Sequence, residues 1–200
     1  MDYVPRSINN LKESYKKLPG IGEKTALRLA FFTLSFNDED IKIFSESLID
    51  VKTKVRRCKR CNNLTEDELC DICKDKSRDN NVICVIEEAK NISSFEEISY
   101  NGLYHILGGL ISPQNGINPE DINIENLLKR VKEEKIKEVI LAIEPTIEGE
   151  ITTLYIQKML NGMNITVSKI AHGVPMGTNL EYLDKMTLEM ALTDRKKISE

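Results

Sequence analysis

The sequence predicts a multi-module α/β protein. Helices come first in the chain, a four-cysteine segment follows them, and a parallel-sheet domain comes next. Three observations predict this class. Apolar residues recur at helical spacing within residues 7–51, two Cys-x-x-Cys pairs lie within residues 58–73, and short apolar runs alternate with helical patterns from residue 82 onwards. Strands that alternate with helices are typical of parallel pairing with right-handed crossovers.

The composition is that of an ordinary globular protein, with 200 residues of which 40% are hydrophobic and 30% charged. No stretch approaches the roughly 20 apolar residues of a membrane span, and the N-terminus lacks a signal-peptide pattern. We therefore expect a cytoplasmic protein whose cysteines are thiols or metal ligands. The net charge of -4 conceals a gradient, because residues 1–76 carry 15 Lys/Arg and 13 Asp/Glu whereas residues 77–200 carry 13 and 19.

Residues 1–54 form the first predicted module, which is helical. Ser7 is predicted to cap a helix that runs to about residue 17, and a second helix is predicted from about residue 23 to residue 34. Asn37 is predicted to cap a third helix. Its apolar residues lie three and four positions apart and form one face: Ile41, Phe44, Leu48 and Val51.

A glycine-rich turn between the first two predicted helices is a candidate DNA-binding site. Gly20 and Gly22 permit a tight turn in which backbone N–H groups approach an anion, and the next helix adds the positive end of its dipole. Lys24 and Arg28 lie one turn apart on that helix, within reach of neighbouring phosphates. The turn resembles a helix-hairpin-helix motif and not a Walker A loop, in which Gly directly precedes Lys-Thr where this chain has Glu23. The alternative is a plain turn between two packed helices.

Residues 55–77 predict a compact zinc knuckle. They contain two Cys-x-x-Cys pairs separated by eight residues: Cys58, Cys61, Cys70 and Cys73. Four thiolates complete the tetrahedral shell of Zn²⁺ and leave no position for water or substrate, so the predicted site is structural, with one ion per chain. A redox pair is the alternative. Cys84 lies in a predicted strand and is interpreted as a small buried apolar residue.

Cations are concentrated around the first cysteine pair. Zinc binding would hold four of them in a fixed loop, where we expect them to contact DNA phosphates: Arg56, Arg57, Lys59 and Arg60. The alternative is a solvated basic edge next to acidic neighbours.

Residues 78–172 form the predicted parallel-sheet domain. Its predicted strands and helices alternate along the chain, with strands at 82–86, 138–143 and 165–170 and helices at about 122–134 and 149–161. His105 lies in an apolar stretch and is interpreted as a hydrogen-bonded core histidine. His172 is interpreted as a residue that orients the following loop or serves an interface.

Carboxylates follow two of these strands. Glu87 ends the first, and the strand that ends at residue 143 is followed by Glu144, Glu148 and Glu150. If the two strands are neighbours, Glu87 faces the Glu148 and Glu150 pair. That layout resembles a Toprim domain, a Rossmann-type fold in which such acids hold Mg²⁺ for phosphoryl transfer. The alternative is that Glu148 and Glu150 only complement a helix dipole.

Residues 173–200 form the last predicted module, a helical segment with one apolar face. The residues of this face are at helical spacing: Leu180, Leu183, Thr187, Met190 and Ala191. The face packs either on its own domain or on a neighbouring subunit, and the sequence leaves both possibilities open.

The order of these modules resembles the RecR family of bacterial recombination proteins. Further segments carry the same resemblance: YHILGG at 104–109, ISP at 111–113, GINP at 116–119, IEGE at 147–150 and AHGVPMG at 171–177. The resemblance implies a non-enzymatic DNA-binding mediator that forms a ring-like oligomer, from dimer to tetramer. With RecO and RecF, such proteins help to load RecA at single-stranded gaps during DNA repair, and the resemblance implies a cytoplasmic, nucleoid-associated protein.

The resemblance also implies roles for individual residues. Lys24 and Arg28 would contact DNA, the four cysteines would hold zinc, and the strand-end acids would serve partner binding or architecture. In such proteins the residue before Pro145 is usually Asn, whereas this chain has Glu144. The additional carboxylate would alter partner preference or permit a weak Mg²⁺ site.

Two other functions stay open at this point. One is a Mg²⁺-dependent Toprim nuclease that uses the strand-end acids, and the other is a protein scaffold that meets DNA only through its partners. The six tyrosines lie in no recognisable nucleophile setting, which disfavours topoisomerase chemistry.

Overall fold

The structure is a computed structural model that describes residues 3–171 and 173–195. The interpretation of His172 therefore falls outside the described residues. The chain divides into two compact units between Val55 and Arg56. No helix among the described residues is long and apolar enough to cross a membrane.

The first unit consists of three helices, as predicted. Helix α1 spans Arg6–Tyr15, α2 spans Glu23–Phe32 and α3 spans Asp38–Thr53, with a short 3-10 turn at Thr33–Ser35. The predicted cap at Asn37 is confirmed, since its side chain accepts a hydrogen bond of 2.8 Å from the backbone N–H of Asp40.

The predicted cap at Ser7 is wrong. The first helix begins at Arg6, directly after Pro5, and no side chain caps its N-terminus. Proline fixes its own φ near −65°, and the carbonyl of Pro5 accepts from the N–H groups of Ile8 and Asn9 at 3.0 Å and 3.1 Å, so the helix begins there on backbone hydrogen bonds.

Helices α1 and α2 pack together as a hairpin. Ala26 and Ala30 lie one turn apart on α2 and are buried, and their small side chains allow the two helices to approach closely. Tyr15, the last residue of α1, and Thr33, which follows the last residue of α2, are joined by a hydroxyl–hydroxyl hydrogen bond of 3.0 Å. Helix α3 buries no residue, and its predicted apolar face is uncovered, with Leu48 62% exposed.

The second unit begins with the zinc-knuckle segment. It contains two short antiparallel strands, β1 at Arg56–Arg57 and β2 at Leu64–Thr65, and one turn of helix, α4 at Asp71–Lys74. These elements are too short to bury a core of their own, so the segment depends on the metal site and on the sheet that follows it.

A four-stranded sheet in which all strands are parallel forms the body of the second unit. Strand β3 spans Asp79–Ile86, β4 spans Gly102–Ile106, β5 spans Glu138–Ala142 and β6 spans Thr166–Lys169, in the order β4-β3-β5-β6. The two strands that precede the acids are neighbours, since β3 pairs with β5, so the condition on which the acids could meet is fulfilled.

Strand β4 is the strand of this sheet that the sequence did not predict. It has only five residues, contains a histidine and directly follows Asn101, so its pattern lacks the β-branched run that marks the other strands. All five residues of β4 are buried in the structure.

Helices cover the sheet between its strands. Helix α5 spans Ile92–Glu97, α6 spans Ile124–Glu133 and α7 spans Ile147–Leu160, and the predicted positions of the last two are confirmed to within two residues. The apolar core between sheet and helices includes Ile83, Leu127 and Ile156, each fully buried.

The zinc-knuckle segment docks on strand β4. The N–H of Ile106 donates to the carbonyl of Cys61 at 2.8 Å, and the Asn62 side-chain amide donates to the carbonyl of Ile106 at 3.0 Å. The knuckle therefore extends the sheet domain along its β4 edge.

The C-terminal segment contains one 3-10 turn at Leu180–Tyr182, followed by helix α8 at Lys185–Thr193. Asp184 caps α8 by accepting from the backbone N–H of Thr187 at 2.9 Å. No residue of α8 is buried, and Met186 and Leu192 are among its exposed apolar side chains. Within the described residues, the apolar face of this segment is uncovered.

Candidate nucleic-acid interface and metal centre

The turn between α1 and α2 presents an open helix N-terminus. Gly20 has φ +77°, a left-handed conformation that favours glycine, and Gly22 occupies the N-cap of α2. The first helical hydrogen bond runs from the N–H of Ala26 to the carbonyl of Gly22 at 2.9 Å, and no side chain caps this end. The N–H groups of residues 23–25 therefore lie outside the helical ladder and face an open turn, which suits an anion.

Residues 6–33 contain six cations, and four of them fall into two sets. Lys24 and Arg28 are exposed on α2, and neither has an ion-pair partner among the described residues. Lys12 and Lys16, at the end of α1, are both bound to Glu23, at 2.6 Å and 2.7 Å. Lys24 and Arg28 are thus available to a phosphate backbone, as are Arg6 and Lys17, which are exposed and also have no ion-pair partner in the described part of the chain.

The four predicted zinc ligands converge on one point. Cys58, Cys61, Cys70 and Cys73 lie with all their sulfur atoms within 4.8 Å of one another, and the sulfur atoms of Cys61 and Cys70 are 3.5 Å apart. Tetrahedral zinc with Zn–S distances of about 2.3 Å places its sulfur atoms about 3.8 Å apart. The backbone N–H of Cys70 also donates to the sulfur of Cys58 at 3.3 Å. The four side chains therefore fit a structural zinc ion.

Backbone turns place these cysteines. The carbonyl of Cys58 accepts from the N–H of Asn62 at 2.9 Å, and the N–H of Cys58 donates to the carbonyl of Asn63 at 2.7 Å. Asn62 adopts φ +66°, which asparagine tolerates better than most residues. Hydrogen bonds with Cys70 and Cys73, together with burial, raise the pKa of the Cys61 thiol. Zinc binding would therefore displace a proton from Cys61.

The four basic residues of the knuckle differ in their surroundings. Lys59 is exposed and pairs with Glu68 at 2.6 Å, and Arg57 donates to the carbonyl of Asn62 at 3.2 Å. Arg56 is exposed on β1 and has no ion-pair partner within 3–171 and 173–195. Arg60 is held differently: its guanidinium makes two bonds of 3.0 Å to the carboxylate of Glu134.

Glu134 is the centre of a charged network that the sequence did not reveal. It accepts from Arg60 of the knuckle and, at 3.3 Å, from Arg130 of α6, whose side chain is only 3% exposed. Burial raises the pKa of the Glu134 carboxyl, but the bonds from Arg60 and the nearby Arg130 outweigh it and lower the pKa overall. Arg60 therefore joins the knuckle to the sheet domain.

His105 lies at the inner end of this network, and its predicted role in the core is confirmed. It is fully buried in β4, with Nε2 2.7 Å from the carbonyl of Asn123 and Nδ1 3.2 Å from the guanidinium of Arg130. Burial, with a smaller contribution from Arg130, lowers the pKa of His105 to about 3. Its imidazole is therefore neutral at physiological pH.

The strand-end acids gather at the carboxyl end of the sheet, but not as one metal site. Burial raises the pKa of Glu87, and the nearby carboxylate of Glu144 adds to the effect. Both residues line a cleft of about 200 Å³. Glu150 turns to Lys169 of β6, with Nζ–Oε distances of 3.1 Å and 3.4 Å. Among the described residues, the four cysteines are the only group of three or more potential ligands close enough to share an ion, so a Mg²⁺ site is not supported.

Gly149, between Glu148 and Glu150, is a functional position that sequence reasoning missed. A side-chain carbon at this position would lie 1.9 Å from the carbonyl oxygen of Glu144, which is closer than any real contact. Thr146 caps α7 by accepting from the N–H of Gly149 at 3.0 Å. The glycine lets the start of α7 fold against the loop after β5, and this fixes where both glutamates project. The position of this glycine between two glutamates is the sequence signal that could have identified it.

Comparison with known proteins gives one consistent family. Four family models match in chain order: the RecR helix-hairpin-helix over residues 8–52, the RecR four-cysteine zinc finger domain over 55–75, the Toprim domain over 81–171 and the RecR C-terminal model over 173–196. A curated relative from Enterococcus faecalis (strain ATCC 700802 / V583), described as "Recombination protein RecR", is 47% identical over 199 residues. The match covers 99% of this chain and 100% of the relative.

Proposed function

The chain belongs to the RecR family of recombination proteins, and from this premise we propose that it is a non-enzymatic mediator which binds DNA without sequence specificity. A role in recombination and repair follows from the family. In the proposal, the protein acts at the nucleoid with RecO and RecF and helps to load RecA at single-stranded gaps.

One observation carries the DNA-binding part of this proposal. Lys24 and Arg28 are exposed and unpaired within the described residues, and they flank the uncapped N-terminus of α2. Two cations and a helix dipole beside free N–H groups form a phosphate cradle that makes no contact with bases. Arg56 and Arg57 add phosphate contacts in the same role, and Lys59 joins them by exchanging Glu68 for phosphate. Arg60 has the least support, because Glu134 already holds it.

Assembly into a ring-like oligomer is supported by two uncovered apolar faces. One lies on α3 of the first unit and the other on the C-terminal segment of the second unit, and neither is covered within the described residues. Apolar faces of this kind favour association between subunits. An oligomer of two to four chains would present several weak hairpin sites to one DNA molecule, and multivalency would raise the overall affinity.

The strand-end acids support a role in partner binding more than in catalysis. Glu87 and Glu144 share one cleft and repel each other, so a basic side chain of RecO or RecF would relieve that repulsion. Glu150 is occupied by Lys169, which draws it away from a shared metal position. The four cysteines hold one structural zinc ion per chain in this proposal.

The test is DNA binding by the Lys24→Ala, Arg28→Ala double variant, measured by fluorescence anisotropy on single-stranded and gapped DNA over a range of salt concentrations. We expect a loss of affinity and a salt dependence that is shallower by about 1.4 in log–log slope for each hairpin that contacts a single strand. The matched control is Lys42→Ala, Lys52→Ala, which removes the same charge from α3.

Equal effects of the two double variants would show that the hairpin is not the DNA site. The same samples are incubated with Mg²⁺ and end-labelled gapped DNA and run on a denaturing gel. Cleavage that disappears in Glu87→Ala would overturn the non-enzymatic part of the proposal.

A further inference from the structure

Four charged side chains form a closed cluster beside the phosphate cradle of the hairpin. Glu23 binds Lys12 at 2.6 Å and Lys16 at 2.7 Å, and Glu13 contacts the same two lysines at 3.3 Å and 3.1 Å. The cluster contains two cations and two anions, so its net charge is zero. Lys12 and Lys16 lie in the N-terminal part of the chain, which carries a net positive charge, yet within this cluster they add no net charge to the hairpin.

The position of Glu23 distinguishes it from Glu13. Glu23 is the first residue of α2 and the only acid in the first turn of that helix, whereas Glu13 lies on α1. A carboxylate at the start of α2 interacts favourably with the same dipole and the same end of the helix that a DNA phosphate would use. Glu23 therefore places a negative charge near the helix end that phosphate would approach, and its carboxylate binds two lysines that phosphate would otherwise attract.

We propose that Glu23 lowers the DNA affinity of the hairpin by adding negative charge at the start of α2 and withholding Lys12 and Lys16 from the phosphate backbone. This inference rests on the proposed DNA-binding function of the hairpin. It makes each hairpin a weaker site, in which Lys12 and Lys16 stay neutralised while Lys24 and Arg28 are presented to DNA. A mediator built from such sites holds DNA only when several hairpins engage, and it releases DNA readily when some of them let go.

A purely structural role for Glu23 predicts the opposite result. Its two ion pairs join the end of α1 to the start of α2 and could fix the shape of the turn. If that were their main effect, loss of the Glu23 carboxylate would loosen the cradle and weaken DNA binding. Hydrogen bonds from Lys12 and Lys16 lower the pKa of Glu23 to about 2, so the carboxylate stays charged at physiological pH and only substitution separates the two roles.

The experiment compares Glu23→Gln with Glu13→Gln in the full chain by anisotropy on single-stranded DNA, over the range from about 50 to about 200 mM salt. Both variants remove one negative charge from the same cluster, but only the first clears the start of α2. We expect Glu23→Gln to bind more tightly than both the native protein and Glu13→Gln. Its log–log salt slope should be steeper by about 0.7 per engaged hairpin, equivalent to a gain that grows about 2.6-fold per hairpin as salt falls fourfold.

A further variant tests whether the lysines cause the gain. Adding Lys12→Ala and Lys16→Ala to Glu23→Gln should remove the increase in slope, and circular dichroism melts establish that each variant is folded. If Glu23→Gln does not fold, Glu23→Asp replaces it, because the shorter side chain keeps the charge but withdraws from both lysines; an intermediate gain in affinity is then expected.

The possible results separate this inference from the function on which it rests. Unchanged or weaker binding by Glu23→Gln, or an equal gain in Glu13→Gln, overturns the inference. If the Lys24→Ala, Arg28→Ala variant still loses affinity, the proposed hairpin site stands. A gain that survives removal of both lysines also overturns it. If the Lys24 and Arg28 substitutions have no effect, the proposed hairpin site itself is wrong.

Discussion

Replacing Glu134 by alanine tests whether the zinc knuckle and the sheet domain are held together by charge. The carboxylate receives two bonds of 3.0 Å from Arg60 and two of 3.3 Å from Arg130. Its removal leaves Arg130, 3% exposed, with only the Tyr104 carbonyl and the His105 ring as partners among the described residues. Arg60 loses its only carboxylate partner in the same part of the chain and keeps a bond of 3.3 Å to the carbonyl of Cys73.

The expected magnitude follows from this burial. Breaking a fully buried ion pair on one side costs about 3 to 5 kcal/mol. Glu134 and Arg60 keep 21% and 24% of their side-chain exposure, so water screens part of that interaction. We therefore expect the free energy of unfolding to fall by about 2 to 3 kcal/mol. For a chain of this size the melting temperature should fall by roughly 4 to 12 °C.

The assay is urea unfolding at neutral pH, with zinc release followed in parallel by a colorimetric chelator. Glu133→Ala is the matched control, because Glu133 is the adjacent acid on α6, is exposed and has no ion pair among the described residues. Zinc should be released at lower urea concentration in Glu134→Ala than in Glu133→Ala. If both variants unfold and release zinc at the same urea concentration, the reasoning is refuted, because the network then contributes nothing to docking.

Two further predictions concern the metal and the buried histidine. Cys58→Ser should lose zinc and unfold at lower denaturant concentration, because three thiolates leave the tetrahedral shell incomplete; metal analysis and urea melts check this, and full zinc occupancy would contradict the four-thiolate assignment. Burial, and to a smaller extent Arg130, lowers the pKa of His105 to about 3, which is below its value in the unfolded chain. Unfolding therefore takes up a proton, and the free energy of unfolding falls as the pH drops from about 6.5 towards 3. The loss from this group should be about 2 kcal/mol at about pH 5, and His105→Gln should show a flatter profile in urea melts between about pH 7.5 and about pH 5; parallel profiles would refute the assignment.

Local sequence patterns predicted most of the fold because they reflect local physics. Helical spacing and the Asn37 cap marked the front helices, and continuous apolar runs marked β3 and β5. Strand β4 was missed because a five-residue strand with a buried histidine has no distinctive period. Its identity depends on a neighbour about 20 residues earlier in the chain, the strand β3 with which it pairs.

The candidate sites were predicted where their residues are close in sequence. The cysteines, and the turn with Gly20 and Gly22, needed only spacing to identify them. Side-chain partners far apart in the chain were not predictable: Arg60 meets Glu134, which lies 74 residues away, and Glu150 meets Lys169, which lies 19 residues away. The sequence marks Arg60 and Glu150 as candidate site residues, and only the fold shows that each already has a partner.

The docking of the knuckle on β4 has a consequence for solubility. Strand β4 lies at one end of the sheet order, and the backbone N–H and C=O of its last residue, Ile106, are both bonded to the knuckle. An uncovered edge strand offers unpaired backbone groups to other chains and is a common start of aggregation. By holding the knuckle in place, the zinc ion would therefore keep this part of the sheet edge covered. Removal of the metal would first appear as aggregation of the protein, before any loss of the proposed DNA binding.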